Sequence, residues 1–145
     1  MEEREERGGA VRVGMIWGGI GGVVGLLVSL LGSLVGILVA GFIGFSCGRR
    51  AAVAGTRAGA LSGMVGGAVA APVYVLGSTL GALLAARQIG AAEIATTLSN
   101  VLGTKISADE AWIYFLFSLV LSAILEAAVL ILVSSAAGAW AKREQ

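Results

Sequence analysis

Histidine is absent from this chain of 145 residues, and cysteine occurs once, at Cys47. Without imidazole and with a single thiol there is no ligand set for zinc, haem or an iron–sulfur cluster, and no intrachain disulfide can form. No cofactor and no metal site are therefore expected, and cysteine says nothing about redox compartment. Charge is scarce as well, 13% of residues with a net value of +1. The basic residues lie in twos and threes, too sparse for the electrostatic footprint of a nucleic-acid binder, so no nucleic-acid partner is expected.

Apolar sequence is what the chain has in excess. It is 57% apolar before its 23 glycines are counted, whereas a soluble domain reaches about 45–50% with glycine included. Three stretches, Val13 to Gly48, Ala58 to Ala86 and Ala111 to Ala141, hold a single charge between them, Glu126. Since about 20 apolar residues cross a hydrocarbon core of ~30 Å, runs of this length read as membrane spans, and the lipid bilayer is the first partner. The expected place is the cytoplasmic membrane of a prokaryote. The N-terminal stretch Met1 to Arg7 carries four Glu against two Arg and leads into no A-x-A site; it is read as retained rather than cleaved.

The run from Val13 to Gly48 is too long for one crossing, at about 54 Å of helix, and tight for two. Charge bias arbitrates. As one span it leaves the basic residues divided 5 against 5; as a hairpin turning near Ser29 to Ser33 it divides them 8 against 2, with only Arg87 and Lys105 on the minority side. The positive-inside rule favours the hairpin, with both termini and the Arg49 to Arg57 loop in the cytoplasm. The fold class is then all-α: a polytopic membrane bundle of four transmembrane helices, about 13–30, 34–51, 58–86 and 109–140, in one domain over residues 1–145. Each hairpin helix has only about 18 uncharged residues and must borrow Gly8 to Val11 or the snorkelling stems of Arg12, Arg49 and Arg50.

Trp112 and Trp140 stand 28 residues apart, about 42 Å of helix, which matches the separation of the two interfacial belts where Trp collects. Ser107-Ala-Asp-Glu110 is a capping-box pattern that opens the fourth span and gives Asp109 and Glu110 a structural role. Pro72, the only proline, removes a backbone bond near the middle of span three and predicts a kink. Between the spans, residues 88–103 place Ile94, Leu98, Val101 and Leu102 at helical spacing and end at Gly103. They predict a short amphipathic surface helix that rests on the headgroups or folds back over the mouth of the bundle as a lid.

Glycine is about twice as frequent as usual and recurs every four residues. Gly14, Gly18 and Gly22 do so in span one, Gly32, Gly36, Gly44 and Gly48 with Ala40 filling the gap in span two, and Gly55, Gly59, Gly63 and Gly67 in span three. That spacing lays small residues along one helix face, where another backbone can approach closely. Packing inside one chain and packing between subunits of a homo-oligomer would both use such a stripe. The segment from Gly48 to Gly67 resembles the turn of a family of small archaeal membrane proteins classed as a domain of unknown function. Gly55, Arg57, Gly59, Ala60, Gly63, Gly66 and Gly67 match that family's G-x-R-x-G-A-x-x-G-x-x-G-G string, and the resemblance implies a four-span bundle with no known activity.

Glu126 stands midway along span four. A charge at that depth costs about 2.5–3.5 kcal/mol on insertion scales, while the 14 Leu, Ile, Val and Phe of the span each gain up to about 0.3–0.6. The helix inserts, and the carboxyl is expected to face the bundle interior. Ser118 and Ser122 precede it on the same face and Ser134 follows, so a polar stripe runs along one side. The stripe is read as hydrogen-bonded glue in a tightly packed structural or assembly protein; the alternatives are a proton or cation site of Glu126, Ser122 and Ser118 in a small transporter or channel subunit, and a pocket for a lipid or quinone headgroup. With no second titratable group counted in the spans, catalysis is not expected. The layout is similar to the proteolipid subunits of rotary ATPases, with their Gly-rich helices and mid-span carboxylate. It departs from them in lacking a dense alternating-glycine first helix and in carrying the long 88–108 segment. No substrate is implied by any residue pattern.

Overall fold

A computed structural model describes residues 2–28, 33–54 and 59–143. Most of the turn expected near Ser29 to Ser33, together with Gly32, Gly55 and Arg57, lies outside the described residues. The chain forms five helices, α1 (Glu2–Val28), α2 (Ser33–Ala54), α3 (Gly59–Ile89), α4 (Ala91–Leu102) and α5 (Ala108–Ala141), with no strand among the described residues. Four of them are long and apolar enough to cross a membrane: Gly8–Val28, Val35–Ala54, Gly59–Ile89 and Ala108–Ala141. This is an all-α integral membrane bundle.

The first span starts earlier than the uncharged run does, because Glu, Arg and Ala between residues 2 and 12 are strong helix formers and nothing before Val13 breaks the helix. For the same reason α2 runs through Arg49 and Arg50 to Ala54. α3 continues past Pro72 as a single helix.

Close approaches fix the directions of the helices. A β-carbon on Gly14, Gly18 or Gly22 would meet Gly66, Ala70 or Val73, so α1 and α3 run parallel. Gly36, Gly44 and Gly48 meet Glu126, Leu130 and Ser134, so α2 and α5 also run parallel. Gly59 and Gly63 meet Gly138 and Ser134, which makes α3 antiparallel to α5. All these contacts are within one chain and mostly with backbone, which lets the helices gain dispersion at short separation. Ala40, Ile43, Cys47, Ala70, Ala71, Tyr74 and Leu130 form the buried core at this level. At the end where α2 and α5 terminate, the Arg49 guanidinium lies over the rings of Phe45 and Trp140, and that of Arg50 over Trp17. Aromatic bodies with cationic tips suit a membrane interface.

At the opposite end, α5 opens with the capping box: Ser107 Oγ accepts from the Glu110 N–H, and the Glu110 carboxylate accepts from the Ser107 N–H at 2.8 Å. α4 is bounded by Gly90 (φ 87°) and Gly103 (φ 68°), and a β-carbon at either would meet open space. Backbone conformation rather than crowding therefore calls for glycine at both positions. α4 packs against α5 and α3. Its inward face is Ile94, Ala95 and Leu98. Val101 and Leu102, read as part of that face, are instead exposed, because the helix leaves the bundle in its last turn.

Candidate functional site

Glu126 is 5% exposed and faces the bundle interior. Ser78 Oγ, on α3, lies 2.7 Å from Glu126 Oε2 and 3.1 Å from the Val75 carbonyl on its own helix. A serine hydroxyl has one proton and can rotate. With an ionised carboxylate the hydroxyl donates to Oε2; with a protonated one it accepts from Oε2 and donates to Val75. The same pair of contacts thus serves both protonation states of Glu126.

The other carboxyl oxygen, Oε1, lies over Gly36 of α2, where a β-carbon would come within 2.6 Å of it. Oε1 has no hydrogen bond from the described residues. The Gly36 carbonyl accepts from the Tyr74 hydroxyl at 2.6 Å, and the Tyr74 ring packs on Gly21 and Gly25 of α1. All four spans therefore contribute to the surroundings of one carboxyl. Tyr74 also corrects the sequence-based count: a second titratable group does sit in this network, joined to Glu126 through Gly36, with its proton committed to a carbonyl.

Ser118, Ser122 and Glu126 line one cleft together with Ser78, Thr79 and Gly36. Its volume is about 400 Å³, and Ala82, Ala85, Ala86 and Ile89 of α3, Phe115, Leu119 and Ala123 of α5, and Ile94 of α4 complete the wall. Ser118 donates to the Phe115 carbonyl of its own helix at 2.8 Å. Ser122 and Thr79 make no side-chain hydrogen bond with the described residues. Ser134, on the same stripe, is in another place. It is fully buried, donates to the Gly63 carbonyl at 2.6 Å and lies against Gly48 and Gly67.

The described parts of the four spans reach different heights around the cleft. That of α2 begins at Ser33, three residues before Gly36, and that of α1 ends at Val28, three residues after Gly25, about 5 Å beyond the level of Glu126. α3 continues 11 residues past Ser78, and α5 extends 18 residues past Glu126 to Ala108, about 16 and 27 Å. On one side of Glu126 four helices are drawn together by glycine; on the other, among the described residues, α3 and α5 form the walls with Ile94 of α4.

Gly14, Gly18, Gly22, Gly36, Gly44, Gly59, Gly63 and Gly67 are all buried against neighbouring helices. Sequence reasoning passed over Ser78, Tyr74, Thr79 and Gly138. A signal for the first two was present, since Gly63, Gly67, Tyr74 and Ser78 share one helical face of α3. No group of three or more metal-ligating Cys, Asp or Glu side chains occurs among the described residues. No protein-family model matches the chain, and neither the curated proteins nor the solved structures give a significant match.

Proposed function

We propose that this small membrane protein is a proton- or cation-coupled transporter or channel subunit, with Glu126 as the group that takes up and releases the ion. The supporting observation is the cleft, which leads from the α4 end of the bundle to a buried carboxyl that the opposite half of the molecule seals off. Ser78 can hold that carboxyl in either charge state, so loading and unloading need no repacking around it. Passage to the other side requires the helices to part where Gly48, Gly59 and Gly63 meet Ser134 and Gly138. Those contacts lack interlocking side chains, and flat helix faces slide or separate with little steric obstruction. On this reading the role is not enzymatic, and the closed half with the Arg49, Arg50 and Trp140 belt faces the cytoplasm.

A structural role, with Glu126 as packing glue worth about 0.6–2 kcal/mol, is favoured by the Ser78 bond taken alone. It gives no reason for the cleft. Replacement of Glu126 by Gln decides between the two, since the amide keeps the shape and can still accept from Ser78. In liposomes with an entrapped pH dye, the transport reading expects Glu126→Gln to melt like wild type yet lose dissipation of an imposed pH or cation gradient. Undiminished flux in a folded Glu126→Gln protein would leave the glue reading in its place.

A further inference from the structure

We infer that the cleft between α3 and α5 binds a lipophilic organic cation, an amine or onium group carrying an apolar body, with Glu126 as its counter-ion. This rests on the transport reading and names its substrate class.

Size is the first argument. About 400 Å³ falls within the range of sites for drug-sized molecules, whereas one water occupies about 30 Å³ and a bare inorganic ion less than a hydrated one. Lining is the second. The walls are mostly alanine, isoleucine, leucine and phenylalanine, which bury an apolar body well, with the hydroxyls of Ser78, Thr79, Ser118 and Ser122 interspersed among them. Charge is the third. Among the lining residues only Glu126 can carry charge, and its Oε1 has no hydrogen bond from the described residues. An anion would find repulsion at an ionised Glu126, whereas a cation pairs with that ionised form and stabilises it. Ser122 and Thr79 stand beside it with their hydroxyls uncommitted, able to orient a primary amine. Access is the fourth. Among the described residues the cleft above Gly36 and Glu126 is walled by α3, α5 and α4, which leaves a lipid-soluble cation a sideways route from the bilayer.

Binding a monovalent cation at a protonated Glu126 releases one proton, so ligand and proton exchange on one carboxyl and charge is conserved. Two ions of nearly the same shape and opposite charge, tetraphenylphosphonium and tetraphenylborate, give the test. Each is titrated into the protein in neutral-lipid nanodiscs, with empty nanodiscs subtracted and proton release followed by a dye in weak buffer. Saturable binding of the phosphonium with about one proton released, none of the borate, and at least about tenfold weaker phosphonium binding in Glu126→Gln are expected. Ala82→Leu, which fills the wall without touching the carboxyl, is expected to weaken binding too while proton uptake by Glu126 remains. Equal binding of the two ions, or full phosphonium binding in Glu126→Gln, would show an apolar groove for lipid chains and overturn the inference. If wild type fails to bind the phosphonium while Glu126-dependent flux of protons or inorganic cations persists, the substrate class is wrong and the transport reading stands. Loss of neither activity in Glu126→Gln sinks both.

Discussion

Gly41 and Gly44 lie one turn apart on α2, and the structure assigns them opposite tolerance for a single methyl group. At Gly44 a β-carbon would stand 2.6 Å from the Leu130 carbonyl oxygen and 3.2 Å from its Cα, both backbone atoms of α5. An unstrained carbon–oxygen contact needs about 3.3 Å, so α2 and α5 must move apart by roughly 0.7 Å. A gap of that size forfeits a quarter to a half of the dispersion well along the contact, and overpacking of this kind costs about 1–3 kcal/mol. At Gly41 the nearest atom is Val129 Cγ1 at 3.9 Å, an ordinary contact. Both substitutions gain the same helix preference of alanine over glycine, about 1 kcal/mol, which cancels in the comparison. Gly44→Ala is therefore expected to be about 1–3 kcal/mol less stable than Gly41→Ala, which itself matches or exceeds wild type. Reversible unfolding in mixed micelles, followed by far-ultraviolet circular dichroism at increasing SDS fraction, reads the difference directly. Equal midpoints for the two variants would mean that α2 does not press on α5 at Gly44, and the account of the closed half would fail with it.

Tyr74→Phe removes the donor to the Gly36 carbonyl but keeps the ring that fills the core; that carbonyl retains its place in the helix ladder. A loss of only about 0.5–1.5 kcal/mol is expected in the same unfolding assay, and a larger one would mean that the phenol holds Glu126 in place as well. For topology, Thr104→Cys and Ala54→Cys each place a thiol at an exposed position, one at either end of the bundle, while Cys47 is fully buried. An impermeant maleimide applied to intact cells is expected to label Thr104→Cys and to reach Ala54→Cys only after lysis; the reverse pattern would invert the charge-based orientation.

Glu126 was legible because it is the only charge in three long apolar runs, and a buried carboxyl in a membrane must face protein. The capping box of α5 was legible because both its partners lie within four residues. Ser78 was not, since its partner is 48 residues away and a serine in an apolar span has many harmless uses. The first span begins at Gly8, within the stretch the short hairpin helix was expected to borrow; absence of charge marks what can lie in hydrocarbon, while the helix itself continues to Glu2 through good helix formers. Helical periodicity puts Ser118, Ser122 and Ser134 on one face of α5, with Ser118 and Ser122 read beside Glu126 as the candidate proton or cation site. What separates them is the neighbour each meets. Ser134 stands opposite Gly63 and Gly67 and is sealed between backbones. Ser118 and Ser122 line the cleft with Thr79, Ala82 and Ala86 of α3. The contrast along α5 is thus set by what other helices place opposite each serine, which no pattern within α5 encodes.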